Sequence, residues 1–196
     1  MNKFSFKGLN PYNEFDSDNF FGREKAIENA LEILQSNKIL TISGDSGIGK
    51  TSFAKAGIIN RIKSGLPAKS GKSWSVFSTR PGVSPIENLC NSLSNNGDLY
   101  KNSKPKASDY QNYYEIISEK KELGLIQIYK NSEIFNKKNI LIFIDQVEDL
   151  FKYPKAFNNE SSEEDDLFFN LIYKSVKTNP AQYTLFYVLS LILFPN

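Results

Sequence analysis

Residues 44–51 read GDSGIGKT: two glycines bracket four residues, and a lysine and a threonine follow. This is the spacing of a loop that wraps a phosphate group. Glycine lets the backbone turn inward, so that consecutive N–H groups face one anion. Gly44, Asp45, Ser46, Gly47, Ile48 and Gly49 would make that nest, with Ser52 just beyond it. Lys50 would supply a point charge for the β and γ phosphates, and Thr51 a hydroxyl for Mg²⁺.

Such a site needs a second acid, at the end of another strand, to hold the metal. The run NILIFID ends on Asp145, and Gln146 follows it. Many ATPases have a glutamate at that next position to activate water, and an amide cannot take a proton. Glu148 and Asp149, in DQVEDLF, are the nearby acids. Glu148 is the better candidate base or water-orienting group. Both acids would serve equally well as caps of the helix that follows.

These residues require strands and helices in a particular order. GREKAIENALEIL sets Ala26, Ile27, Ala30, Leu31 and Leu34 at helical spacing, NKILTIS is a short β-rich run ending at Gly44, and TSFAKAGIINRIKSGL is helical again. Its apolar side carries Phe53, Ala54, Ile58 and Ile62, and Gly65 and Pro67 stop it. Strand, glycine loop and helix is the context the loop needs. SWSVFSTRPG is a second strand. In SPIENLCNSL, Ser84 is a candidate cap, Pro85 fits the first helical position, Glu87 completes a capping box, and Cys90 falls on the buried stripe. Residues 94–112 read as a polar surface loop, and YYEIISEKKELGLIQIYKNSEIF as a helix broken near Gly124. NILIFID is apolar throughout, as in a strand buried on both faces. The acids of NNESSEEDD suit a helix N-terminus, and DDLFFNLIYKSV puts Leu167, Phe168, Leu171, Ile172 and Val176 on one side of that helix. LFYVLSLILF, residues 185–194, is a last strand, half the length a membrane span requires. The alternation predicts an α/β fold with a mainly parallel sheet covered by helices on both faces.

Composition narrows the chemistry. With 24 basic and 22 acidic side chains the net charge is +2, so no global field draws the chain to nucleic acid or to a membrane. Histidine is absent, which removes His-ligated metal sites and Ser-His-Asp triads. The single cysteine excludes an internal disulfide and suits a cytoplasmic location. The N-terminus has no apolar signal-peptide core.

Three further stretches form a set: NPYNEFDSDNFFGRE before the loop, RPGVSP after the second strand, and IDQVEDLF at the acidic strand. Together they resemble the bacterial STAND NTPases, in particular the novel STAND group, from about Asn10 to about Leu191. The resemblance implies a P-loop ATPase core that binds ATP and Mg²⁺. Residues 1–24 would be a segment contacting the nucleotide, and residues 25–196 the core. Phe20 to Glu24, with Phe21, Gly22 and Arg23 as site residues, would lie near adenine and ribose, Arg23 reaching toward the nucleotide; Lys50 and Thr51 would hold phosphate and metal, and Asp145 would be the second metal acid. Arg80 and Pro81 would lie beside the sheet's ligand edge. Relatives are signal-transducing switches, several in bacterial defence and cell death, so self-association or a separate sensor or effector protein is the implied partner.

The chain departs from the group's pattern. Asp149 stands for a second glutamate, and the group's arginine-containing sensor after the last strand has no counterpart, since the only arginines are Arg23, Arg61 and Arg80. Slow or absent hydrolysis is therefore expected. The strand near residues 183–193 would lie between the P-loop strand and the Asp145 strand. The core would be truncated after it, leaving Ile192, Leu193 and Phe194 without cover. The alternatives are an ordinary P-loop ATPase or kinase, or the remnant of a broken gene.

Overall fold

The structure, a computed structural model, describes residues 10–65, 73–99, 107–152, 160–178 and 186–193. Its centre is a sheet of four parallel strands, β1 (Ile39–Gly44), β2 (Ser73–Thr79), β3 (Lys138–Ile144) and β4 (Phe186–Leu193), in the order β1-β4-β3-β2. This is the predicted α/β P-loop arrangement, and the last strand takes the predicted inner place.

The alternation of side chains along β3 explains why NILIFI reads as continuously apolar. Ile140, Ile142 and Ile144 face one core, while Leu141 and Phe143 face the other. The first core is covered by α3 (Pro85–Asn95), α4 (Ala107–Lys120), α5 (Gly124–Lys130) and α7 (Glu160–Lys177), through residues such as Leu89, Ile117, Leu125 and Phe168. The second lies under α1 (Glu24–Asn37) and the helix after the P-loop, with Ile27, Leu31, Leu34, Ile58 and Ile62 at its centre. That second helix, α2, spans residues 50–63, and its middle, Phe53–Ile59, is wound as a π-helix.

Several local expectations need correction. Ala26 is exposed, so the buried face of α1 is narrower than the spacing suggested. Residues 107–112 belong to α4 and not to a loop, because Tyr110, Tyr113 and Ile117 follow one another at helical spacing onto the core. The break near Gly124 is a 3-10 turn, Lys121–Leu123, with Lys121 at φ 50°. Pro85 opens α3 as expected, but Ser84 makes no side-chain cap; Glu164 of α7 accepts the Ile86 N–H instead, at 3.1 Å. Ile192 is not bare: it is half-buried and packs on the first core. Phe194 and residues 183–185 lie outside the described residues.

Candidate functional site

Because all four strands run parallel, their carboxyl ends gather on one edge of the sheet, where ligands of such folds bind. The P-loop leaves β1 there and the Asp145 turn leaves β3. The end of β4 lies between them, its Leu191 carbonyl accepting the Val147 N–H at 3.0 Å. The result is a cleft of about 360 Å³. One wall is Ser46, Gly47, Gly49, Lys50, Thr51 and Ser52; the other is Asp145, Gln146 and Glu148; Leu191 and Ile192 form the floor.

The loop's shape depends on Gly47 and Gly49, at φ 80° and 91°. A Cβ at either would meet nothing within 4 Å, so the requirement is conformational and not steric. The Lys50 ammonium donates to the carbonyls of Gly44 and Asp45, at 2.7 and 2.6 Å, which fixes its charge over the loop. α2 begins at Lys50 and directs its N–H groups and the positive end of its dipole at the same space.

Across the cleft, Asp145 is held by its own N–H, which donates to the Thr79 carbonyl at 2.9 Å. Burial raises its carboxyl above the usual aspartate range, Lys55 and Arg80 oppose that rise, and Glu148 and Asp149 add to it. Gln146 follows in the left-handed region, φ 59°, which turns the chain sharply and brings Glu148, 6% exposed, back to the cleft wall. The two acids thus part company, with Glu148, the candidate favoured from the sequence, on the side of the cleft. Glu148 lines the cleft; Asp149 opens α6 (Asp149–Lys152) and pairs with Arg80 at 2.7 Å.

The model for the family described as Novel STAND NTPase 1 matches residues 5–191. The chain belongs to this family of novel STAND NTPases. Solved structures of the Aeropyrum pernix ORC2 protein are also similar to it. One, holding ADPNP and ADP, is 14% identical with a TM-score of 0.48. The ADP form is 16% identical with a TM-score of 0.45. Each match covers 96% of this chain and 44% of that one, so the chain spans less than half the length of those proteins. No curated protein matches it.

In this STAND NTPase most of the expected loop residues meet around one space. Gly44, Asp45 and Ile48 do not line the cleft; the first two serve through their carbonyls, and Ile48 is 52% exposed. Phe21, Gly22 and Arg23 do not line it either. Arg23 reaches the outer side of the P-loop, with a long 3.4 Å contact to the Ile48 carbonyl, and Phe21 is exposed. The rim nearest the loop is formed by Asn10, Pro11 and Tyr12, which belong to the 1–24 segment expected to contact the nucleotide but are not among its named site residues Phe21, Gly22 and Arg23. Their place is set by the Tyr12 N–H donating to Ser52 Oγ at 3.0 Å and by Tyr12 resting 6.0 Å from Phe20, ring to ring. Farther along the same segment, Asn60 donates to the Glu14 carbonyl and Lys63 pairs with the Glu14 carboxylate. Ser52 therefore tethers this segment as well as lining the cleft. Among the described residues, no helix is long and apolar enough to cross a membrane.

Proposed function

We propose that this domain is the ATP- and Mg²⁺-binding module of a STAND-type signal-transducing switch. One observation carries the reading: Lys50 and Thr51 of the P-loop share a single cleft with Asp145 and Glu148 at the carboxyl end of the sheet. The cleft is positive on the loop side and acidic on the other, as a metal-bridged polyphosphate requires.

The donors suit magnesium. Thr51 offers a hydroxyl and Asp145 a carboxylate, both hard oxygens. Among the described residues no three of His, Cys, Asp and Glu converge to cage a metal. An ion here takes one or two protein oxygens and the rest from phosphate and water, the usual magnesium pattern. Bound magnesium would neutralise phosphate charge and favour the ionised form of Asp145. Lys50 holds the phosphates, and Asn10, Pro11 and Tyr12 flank the nucleotide from the segment tethered to Ser52. Phe21, Gly22 and Arg23 act on the outer side of the loop. Glu148 orients the attacking water.

Hydrolysis is slow, because Gln146, at the position where a glutamate would activate water, cannot act as a base. Nucleotide occupancy, more than its turnover, is then the signal. A role in bacterial defence or cell death, with a sensor or effector as partner, in the cytoplasm, is the family-level extension of this reading. Titration of Mg-ATP and Mg-GTP against wild type and Lys50→Ala tests it. The loss of a charged donor costs about 1.5–3 kcal/mol, roughly ten- to hundredfold in affinity. Equal affinities would overturn the assignment.

A further inference from the structure

Arg80 follows β2 directly. The turn it begins is fixed to α3 by Asn88 Nδ2, which donates to the Pro81 carbonyl at 2.8 Å. From there the Arg80 Nε–H donates to Asp149 Oδ2 at 2.7 Å, across 69 residues of chain. The pair is asymmetric: the Asp149 side chain is 3% exposed and that of Arg80 55%. A carboxylate buried that deeply requires a partner.

The position of the pair gives it a consequence. Asp149 lies at the far end of the turn that begins at Asp145, and this turn contains a residue in the left-handed region, Gln146, and an acid facing the cleft, Glu148. Its backbone is held by two bonds to the sheet, from Asp145 N to Thr79 O and from Val147 N to Leu191 O. Both lie before Glu148. Past Val147 the backbone bonds are local, Asp149 N–H to the Gln146 carbonyl at 3.0 Å and Leu150 N–H to the Val147 carbonyl at 3.2 Å, and the Arg80–Asp149 bond links that end to the end of β2.

We propose that Arg80 is a positioning residue of the metal–nucleotide site: through Asp149 it holds the 145–149 turn so that Asp145 and Glu148 present their carboxylates to the cleft. This rests on the reading of the cleft as a site for Mg-nucleotide. A purely structural ion pair would support the fold without affecting the metal in particular, and the test separates the two.

ADP is titrated with magnesium and with EDTA against the full chain as wild type, Arg80→Gln, Arg80→Lys and the double variant Arg80→Gln/Asp149→Asn. The readout is the ratio of the two affinities, which a general loss of stability leaves unchanged. The expected result is a magnesium enhancement reduced about tenfold or more in Arg80→Gln and partly kept in Arg80→Lys, which retains a donor and a charge. The double variant buries no unpaired charge, so it keeps the test valid if Arg80→Gln fails to fold; its enhancement should be as low. Full enhancement in the double variant, or in a folded Arg80→Gln, would overturn the inference while leaving the nucleotide site intact. A wild type that binds no nucleotide under either condition would overturn both.

Discussion

Gly57→Ala is the substitution whose consequence can be worked most closely from the structure, because Gly57 lies where the P-loop helix α2 meets α1 and the segment that flanks the cleft. A methyl built on Gly57 would be 2.9 Å from Ile27 Cδ1, 3.0 Å from Ile27 Cγ1 and 3.5 Å from Phe20 Cε1. Carbon atoms rest at about 3.5–4.0 Å, so Ile27 must yield by about half an ångström or more. Ile27 is only 4% exposed and packs in the second core, which leaves it no room to swing aside. Overpacking of this kind costs about 1–3 kcal/mol, against which alanine's better helix propensity returns up to about 1 kcal/mol, a net loss of about 0–2 kcal/mol. At about 2–4 °C per kcal/mol for a chain of this size, the melting temperature should fall by up to about 8 °C. Ile27→Ala removes both crowding atoms. It costs about 2–5 kcal/mol by itself, but in that background Gly57→Ala should cost nothing or recover stability, because the new methyl enters the vacated space. Urea unfolding of the four proteins gives the coupling, expected at about 1 kcal/mol or more. An equal effect of Gly57→Ala in both backgrounds would refute the packing argument.

The remaining predictions concern titrating groups and turnover. Burial pushes the Cys90 thiol up to about 12. Its folded pKa thus exceeds the unfolded one, and the associated stability is lost as pH rises above about 9, by up to about 1.4 kcal/mol per pH unit. Cys90→Ala should flatten that part of the urea-midpoint profile, and a thiol reagent should label wild type only on unfolding. Asp145 is also raised by burial, so its ionisation works against the nucleotide-free fold at neutral pH. Asp145→Asn should therefore raise the melting temperature of the free protein at pH 7, with the gain shrinking as pH falls through the raised folded pKa and gone below about 4, and should lose the magnesium-dependent part of nucleotide affinity. A lower melting temperature at pH 7 would contradict this. ADP release should stay near background, since Gln146 cannot take a proton from water and a missing general base costs about 10²–10⁴ in rate; turnover on the order of 1 s⁻¹, abolished by Asp145→Ala, would favour an ordinary ATPase.

The local chemistry of this fold was largely legible in its sequence. NILIFI could be read as a doubly buried strand because its alternate residues serve two cores, and GDSGIGKT as a phosphate loop because few other uses need that glycine spacing. Long-range pairings were not legible. DQVEDLF favours Glu148 as the site acid, but nothing in it or in RPGVSP indicates that Arg80 takes Asp149; that depends on β2 and β3 lying side by side in a register that puts Thr79 beside Asp145. The cap of α3 was missed for the same reason, since Glu164 comes from a helix distant in sequence. The motif residues before the P-loop were correctly grouped, but which of them reaches the cleft depends on one hydrogen bond, Tyr12 to Ser52, that no spacing rule encodes.

The central claim is that this cleft holds a magnesium-bound nucleotide through Lys50, Thr51 and Asp145. A crystal structure of the chain grown with magnesium and a non-hydrolysable ATP analogue tests it most directly. Phosphate density is expected in the P-loop, with the Lys50 ammonium turned from the Gly44 and Asp45 carbonyls to the phosphates and a metal ion bound by the Thr51 hydroxyl with Asp145 facing it, directly or through water. Nucleotide density elsewhere on the molecule, or a P-loop that binds the analogue with Lys50 still on its own carbonyls, would contradict it.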